Sequence, residues 1–130
     1  MEGNINKTLL IVEDEVPMLI ALVDKFTREG FRVLQARNGE EGLESALRDH
    51  PDLILLDIIM PKMDGITMLE KLNQSADPWG KKIEVIFLTN LSDISNIEKV
   101  SQLGTNEYLV KSDWKIEDVV KKVKEHLKLE

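Results

Sequence analysis

The sequence contains no cysteine, which excludes a disulfide framework and any metal site built on thiolates. It also has no apolar run that approaches the ~18 residues of a membrane-spanning helix. Its polar amino terminus, 1–7, lacks the apolar core of a signal peptide. With 17 Lys and Arg against 24 Asp and Glu, the net charge is -7, which offers no positive field to nucleic acid. These absences predict a cytoplasmic protein that contacts neither membrane nor nucleic acid directly.

The composition describes a folded protein, since 42% of the residues are hydrophobic and 32% are charged. A chain of 130 residues is long enough to bury a core without disulfide bonds or structural metal ions. No repeat, low-complexity tract or linker interrupts it. We therefore expect one domain over 1–130, with an ordered core at about 8–128.

The stretch from Leu53 to Gly65 organises the chain. Residues 53–56 are apolar at every position, which is typical of a strand buried on both faces of a parallel sheet. Asp57 follows directly, and Pro61 and Gly65 then turn the backbone. Ligands bind at the carboxyl ends of strands in open α/β sheets. Asp57 is therefore a candidate site residue, although an aspartate here could simply end a strand or cap the next helix.

Strand and helix patterns alternate five times along the chain. The strands are predicted at 8–13, 31–36, 53–56, 83–89 and 107–111. The helices are predicted at 16–29, 40–49, 66–74, 93–103 and 115–127. The strand at 31–36 alternates apolar and polar residues, which is typical of an edge strand. Asn38-Gly39 is predicted to turn the chain before the second helix, whose residues Leu43, Ala46 and Leu47 share one face, and 75–82 is predicted to be a loop that contains Trp79. Short connections and right-handed crossovers favour an α/β fold, a doubly wound (βα)5 parallel sheet of five strands in the order 2-1-3-4-5.

Polar residues stand at the carboxyl ends of four of these strands: Glu13 and Asp14, Asp57, Thr89 and Lys111. Taken singly, an acidic pair is usually solvated surface, and a lysine is usually a solvated cation. The strand order brings them into one crevice, where three carboxylates would repel one another unless a cation neutralised them. Oxygen ligands with room for water suit Mg²⁺, or Mn²⁺ in its place.

Four motifs together carry a family resemblance that covers Leu9 to about Leu127. They are Val12-Glu13-Asp14-Glu15, Leu56-Asp57-Ile58-Ile59-Met60-Pro61-Lys62-Met63-Asp64-Gly65, Leu88-Thr89 and Tyr108-Leu109-Val110-Lys111. With them the chain resembles the receiver domain of two-component response regulators, of the chemotaxis-regulator kind. The resemblance implies the flavodoxin-like version of the predicted fold.

The resemblance also implies a function. Asp57 would accept a phosphoryl group from a phosphohistidine on a sensor histidine kinase or a histidine phosphotransfer protein. Thr89 and Lys111 would contact the phosphoryl oxygens. Such a domain is a signalling module, not an enzyme, although it assists its own phosphorylation and dephosphorylation.

The metal ligands implied by the resemblance are Asp14, Asp57 and the backbone carbonyl of Ile59, with Glu13 in the outer shell through water. Tyr108 resembles the aromatic residue that swings inward when Thr89 closes on the phosphoryl group. The surface that switches would comprise the fourth predicted helix, the fifth strand and the fifth helix.

The sequence departs from the family pattern at four positions. Glu13 stands where the family commonly has Asp, a change that metal binding should survive. Ile59 and Leu91 are apolar where polar residues often influence the phosphoryl lifetime, which predicts slow self-dephosphorylation. Ser112 follows Lys111 where the family usually has a cis proline, so we expect a trans Lys111–Ser112 peptide, because a cis bond there costs ~3 kcal/mol.

Three alternatives compete with the receiver interpretation. A haloacid-dehalogenase-like phosphatase needs a second acid two residues after its nucleophile, where Ile59 stands. A flavin carrier needs a phosphate loop after the first strand, where an acidic cluster would repel phosphate. A degenerate receiver that only binds partners would have lost Asp57 or Lys111.

The first helix carries more apolar residues than one core stripe needs. The predicted core stripe comprises Met18, Ala21, Leu22 and Phe26, and a second apolar arc comprises Val16, Leu19, Ile20 and Val23. Receivers of this family dock the helical bundle of the phosphodonor against this helix, so Leu19, Ile20 and Val23 are predicted to serve partner docking. A homodimer contact is the second interpretation, and a tilted helix covered by loops is the third.

Overall fold

The computed structural model describes residues 5–75, 83–89, 108–110 and 114–129. Its strands are β1 (Thr8–Val12), β2 (Arg32–Ala36), β3 (Leu53–Asp57), β4 (Glu84–Thr89) and β5 (Tyr108–Val110). The helices described are α1 (Val16–Arg28), α2 (Gly39–Asp49), α3 (Gly65–Gln74) and α4 (Ile116–His126). The helix predicted at 93–103 and most of the loop around Trp79 lie outside the described residues.

All strand pairs are parallel, and the sheet order is β2-β1-β3-β4-β5, as the sequence predicts. Every residue of β3 is buried, which explains its unbroken apolar run. β2 lies at the sheet edge and is largely half-buried or exposed, which matches its alternating sequence. The central strand thus ends on Asp57, and its neighbour β1 ends beside the acidic pair.

The two faces of the sheet bury separate cores. One core holds Ala46 of α2 and Leu69 of α3, together with β-strand residues such as Leu10 and Ile54. The other is built on alternate strand positions, and its helical members are Leu19, Leu22, Phe26, Val119, Val120 and Val123. Therefore α2 and α3 cover one face of the sheet, while α1 and α4 cover the other.

The core stripe predicted for α1 was wrong in part. Leu22 and Phe26 are buried as expected, but Ala21 is exposed and Leu19 is only 3% exposed. The stripe is therefore rotated by roughly 60° from the predicted one, since successive helical residues differ by ~100°. Leu19 belongs to the core because it lies one turn from Leu22 on the face that packs against the sheet. Ile20, in contrast, is 61% exposed.

The face predicted for α2 also needs correction. The sequence placed Leu43, Ala46 and Leu47 together, whereas the residues that α2 buries are small: Gly39, Gly42, Ser45 and Ala46. At Gly42 a Cβ atom would lie 3.0 Å from a methyl group of Val12 in β1. This close approach of the helix backbone to the sheet leaves Leu43 partly buried and Leu47 37% exposed.

An ion pair joins the end of α1 to α4. Lys124 Nζ donates to Glu29 Oε1 at 2.8 Å, and Lys25 Nζ lies 3.5 Å from Glu29 Oε2. The hydrogen bond from Lys124 holds the pKa of the Glu29 carboxyl below its ordinary value of 4.5. The pair therefore stabilises the fold above pH 4.5, and its contribution is lost as the pH falls through the lower pKa of the folded state.

We expect Glu29→Gln to lower the free energy of unfolding at pH 7 by about 1 kcal/mol or less. The difference from wild type should shrink as the pH falls below 4.5. Urea unfolding between pH 7 and pH 3 measures it, with the exposed Glu70→Gln as control. A difference that stays constant across this range would contradict the assigned ion pair.

Candidate functional site

Three carboxylates meet at the carboxyl ends of β1 and β3. Glu13 and Asp14 follow β1, Asp57 ends β3, and one oxygen from each lies within 4.8 Å of the others. The parallel register that pairs Val12 with Leu56 places Glu13 and Asp57 at neighbouring strand ends. Glu13 is fully buried and Asp57 is 2% exposed, whereas Asp14 is intermediate. The sequence prediction that these acids converge is therefore consistent with the geometry.

The backbone fixes the first of these acids. Glu13 N donates to the carbonyl oxygen of Ala36 at 3.0 Å, which continues the β1–β2 ladder past the last strand residue. One side-chain oxygen of Glu13, Oε2, accepts a hydrogen bond from Glu15 N at 3.1 Å. This local bond turns the chain toward α1 immediately after the acidic pair, so Asp14 stands at the turn.

The loop that leaves Asp57 is closed by backbone hydrogen bonds. Ile58 N donates to the carbonyl oxygen of Leu88 at 3.3 Å, and Gly65 N donates to the carbonyl oxygen of Ile58 at 2.8 Å. Consequently α3 begins directly against the end of β3. A Cβ atom at position 65 would overlap the carbonyl oxygen of Asp57, so only glycine fits there.

A tight turn shapes the middle of this loop. Met63 N donates to the carbonyl oxygen of Pro61 at 2.7 Å, and Lys62 between them has a φ of 68°. This is a γ-turn in the left-handed region, which costs a non-glycine residue of order 1 kcal/mol or more. Asp64 then caps α3 by accepting from Thr67 N at 2.8 Å. The loop therefore has a defined shape beside Asp57.

The sequence reasoning missed the contact between this loop and α2. Gly39 N donates to the carbonyl oxygen of Met63 at 2.9 Å. Asn38 caps α2 by accepting from Glu41 N, and Glu41 Oε1 accepts from Arg37 N, each at 2.9 Å. Asn is a preferred N-cap residue, so the sequence carried a signal for this cap as well as for the predicted turn at Asn38-Gly39.

The structure describes some of the remaining predicted site residues but not others. Thr89 is the last residue of β4 and pairs with Val110 of β5, so its backbone lies at the same edge of the sheet as Asp57. Ile59 is 53% exposed, and Tyr108 is 36% exposed. Lys111, Leu91 and Ser112 lie outside the described residues, so the roles of the first two and the trans Lys111–Ser112 peptide stay predictions.

The donor set of the site fits a hard cation. All three side chains offer carboxylate oxygens, and two of them are almost fully removed from water. Like charges held this close and this deeply repel strongly unless a cation or a proton neutralises them. Carboxylates with room for further oxygen ligands are the preferred environment of Mg²⁺. The cluster can therefore hold such an ion and, with it, attract phosphate oxygens to Asp57.

An apolar groove lies next to the turn at 13–15, which we call the acidic turn, on the face of the sheet that carries α1. Its volume is about 620 Å³, and its lining residues are Glu15, Pro17, Met18, Ala21, Leu22, Trp114 and Ile116. It runs between the start of α1 and the segment that leads into α4. Among the helices of the described ranges, none has the length and apolar character needed to cross a membrane.

Comparison with known proteins gives a consistent result. The response regulator receiver domain family matches residues 9–124. Sporulation initiation phosphotransferase F of Bacillus subtilis is 32% identical over 124 residues, which cover 95% of this chain and 96% of that protein. A probable transcriptional regulator, ycf27 of Porphyridium aerugineum, is 35% identical over 103 residues, or 79% of this chain and 41% of its own length. The chain thus spans less than half of some relatives.

A solved structure of similar fold is the complex of CheX and CheY with BeF3 and Mg²⁺ from Borrelia burgdorferi. The TM-score is 0.80 at 30% sequence identity, and the match covers 93% of this chain and 89% of that one.

Proposed function

The chain belongs to the family of response regulator receiver domains, signalling modules of two-component systems, and on that premise we propose that Asp57 accepts a phosphoryl group from a phosphohistidine. The observation that carries the proposal is the buried carboxylate cluster at the ends of β1 and β3. In the transfer, the bond from phosphorus to the imidazole nitrogen breaks and a bond to an Asp57 carboxylate oxygen forms. The imidazole leaves and takes up a proton.

We propose that Asp14 and Asp57 hold a Mg²⁺ ion together with the backbone carbonyl of Ile59, while Glu13 acts through water. The distances among the three carboxylates support this assignment. A bound divalent cation would neutralise charge on the phosphoryl oxygens, which is most of what phosphoryl transfer requires. The chain's own contribution is positional, since a fully buried β3 fixes the Asp57 nucleophile at the site.

The response to phosphorylation is proposed to pass through Thr89 and Tyr108. Thr89 at the end of β4 and Lys111 beyond β5 would contact the phosphoryl oxygens. Tyr108 is 36% exposed, so its ring contacts solvent, and we propose that it moves inward when Thr89 closes on the phosphoryl group. The output surface would then comprise β5, α4 and the helix predicted at 93–103.

The partner is proposed to be a sensor histidine kinase or a histidine phosphotransfer protein that docks on α1. Ile20 is 61% exposed and Val16, one turn earlier, is 39% exposed, so α1 presents an apolar surface beside the acidic turn. Val23 is only partly buried and borders the core. Leu19 is excluded from this surface by its burial. A homodimer through the same surface is the alternative proposal.

The docking proposal predicts the effect of Ile20→Glu. We expect phosphotransfer from a histidine-phosphorylated donor that labels the wild type to slow by about tenfold, because a charge replaces an apolar contact. Labelling by acetyl phosphate should not change. Thr27→Glu, which places the same charge at the far end of α1, is the control. Equal slowing by both variants, or no slowing by Ile20→Glu, would move the partner surface elsewhere.

The exposed apolar Ile59 predicts a long-lived phosphoryl group. An apolar side chain cannot hydrogen-bond the water that attacks the acyl phosphate, whereas an amide can. We expect Ile59→Asn to speed the loss of the phosphoryl group by about tenfold, while Ile59→Leu leaves the rate unchanged. The decay of the phosphorylated protein after removal of the donor measures both rates. Equal rates in the two variants would count against this role of Ile59.

The proposed function is tested by incubation with acetyl phosphate and Mg²⁺, followed by intact-mass measurement. The wild type should gain one phosphoryl group, and Asp57→Asn should gain none. Asp64→Asn is a matched control in the same loop, because asparagine can still accept from Thr67 N and cap α3. If the wild type gains no mass, the chain binds partners without accepting phosphate. If Asp57→Asn gains as much mass as the wild type, another residue is the acceptor and the assignment of Asp57 is wrong.

A further inference from the structure

A second groove lies on the other face of the sheet from α1, between α2 and the loop that follows Asp57. Its volume is about 410 Å³, and we call it the α2 groove. Its lining residues are Glu40, Glu41, Leu43, Glu44, Leu47 and Met63. The face of the sheet that carries α2 and α3 has no part in the α1 surface proposed for the phosphodonor.

The apolar lining of the α2 groove results from the way in which α2 packs. Small residues such as Gly42 and Ala46 form the buried side of the helix and let its backbone approach the sheet. The two leucines, one turn apart, are thereby displaced to the margin of the core. Leu43 and Met63 are only partly buried, and Leu47 is 37% exposed. A monomer leaves this apolar row in contact with water.

The charge beside this row has one sign. Glu40 and Glu44 are exposed and lie one helical turn apart, parallel to the row of leucines. No basic residue lines the groove among the described residues. Arg48, one turn beyond Glu44, has its guanidinium 3.0 Å from the carboxylate of Asp49. The groove therefore combines an apolar row with a parallel acidic row, whose complement is a helix with adjacent apolar and basic rows.

We propose that the α2 groove is a docking surface for a cationic amphipathic helix of a partner protein, distinct from the phosphodonor. Apolar side chains of that helix contact Leu43, Leu47 and Met63, and its Lys or Arg residues pair with Glu40 and Glu44. The proposal does not depend on phosphoryl transfer, because the groove is separate from the acidic cluster.

The position of Met63 connects the α2 groove to the acidic site. Met63 lines the groove, its carbonyl oxygen accepts from Gly39 N at 2.9 Å, and it belongs to the loop that leaves Asp57. A helix bound in the groove would therefore contact both α2 and this loop. Partner binding and the state of the Asp57 loop would then affect each other reciprocally.

The test uses a synthetic helical peptide with a row of leucines beside a row of lysines, and titrates it into ¹⁵N-labelled protein. Amide shifts should change at Leu43, Leu47 and Met63. The variant Glu40→Gln/Glu44→Gln should bind about five- to tenfold more weakly, and Leu47→Asn at least about tenfold more weakly. Glu41 is left unchanged because its carboxylate takes part in the cap of α2.

The control must separate docking from general attraction, since the chain carries a net charge of -7. Glu117→Gln/Glu125→Gln removes the same charge from α4 on the other face and should bind the peptide as the wild type does. Equal weakening by both pairs, or shifts centred away from α2, would overturn the proposal. Concentration-dependent self-association that Leu47→Asn abolishes would assign the groove to a second copy, and would likewise overturn it.

Discussion

Gly65→Ala is expected to lower the free energy of unfolding by about 3 kcal/mol. The added Cβ atom would overlap the backbone carbonyl oxygen of Asp57, and neither backbone can yield without displacing the other. The bond from Gly65 N to the carbonyl oxygen of Ile58, now 2.8 Å, would lengthen. Because α3 begins at this contact, the loss should appear in both thermal and urea unfolding, and phosphorylation by acetyl phosphate should slow.

Gly42→Ala is the matched comparison for this prediction. Gly42 lies inside α2, where alanine gains helix propensity of up to about 1 kcal/mol, whereas Gly65 is the first residue of α3, where this gain is smaller. At position 42 the new Cβ atom would lie 2.9 Å from the sulfur of Met68, which is flexible and can move. It would also lie 3.0 and 3.1 Å from the methyl groups of Val12, which need to shift by only a few tenths of an ångström. We therefore expect a clearly smaller loss than at position 65. Equal losses at the two positions would show that the contact with Asp57 is not the cause.

Asp14→Asn is expected to raise the free energy of unfolding by about 1 to 2 kcal/mol when no divalent cation is present. The change removes one of three carboxylates whose oxygens lie within 4.8 Å of one another, while the other two remain buried. The repulsion that the fold must overcome becomes smaller. Urea unfolding in EDTA at pH 7 measures this gain.

Addition of Mg²⁺ should make the wild type more stable than Asp14→Asn. The wild type gains stability by binding the cation in its folded state, whereas Asp14→Asn has lost a ligand and should bind at least about tenfold more weakly. Asp24→Asn, which only removes the exposed pair with Arg28 at 3.1 Å, should change little with or without Mg²⁺. A variant that loses stability in EDTA, or responds to Mg²⁺ as the wild type does, would contradict the metal assignment.

The fold could be predicted from the sequence because its strongest signals are local and unambiguous. An unbroken apolar run identifies β3 as the central strand, and alternation identifies β2 as an edge. The sheet order then follows from short connections with one handedness. Helical periodicity was less informative, since it predicts that a face is buried but not how the helix is rotated against the sheet. The error at Leu19 in α1 has this origin.

A second kind of error arose where packing depends on residue size. Hydrophobicity favoured Leu47 as a core residue of α2, but small residues such as Gly42 allow the closest approach to the sheet. The close contact at Gly42 is visible only in the folded structure, where Val12 and Met68 are its neighbours. These neighbours lie far away in the sequence, so no local pattern in the chain could have indicated the contact.

The three acids of the candidate site were predicted from the sequence. The backbone contacts that hold the Asp57 loop in place were not. Strand-end positions indicated Glu13, Asp14 and Asp57, because parallel strands end at one edge of the sheet. The closure of the Asp57 loop on Gly65, and its contact with Gly39 through Met63, depend on backbone hydrogen bonds that residue types alone do not specify.

Chemical identification of the phosphorylated residue distinguishes Asp57 from every other possible acceptor. The wild type is treated with acetyl phosphate and Mg²⁺ and then reduced with borohydride, which converts an aspartyl phosphate into homoserine. Tandem mass spectrometry of the digested protein locates the change. We expect homoserine at position 57 alone, and none when EDTA replaces Mg²⁺. Homoserine at position 14 or at any other aspartate, or none at all with Mg²⁺ present, would contradict the assignment of Asp57 as the phosphoryl acceptor.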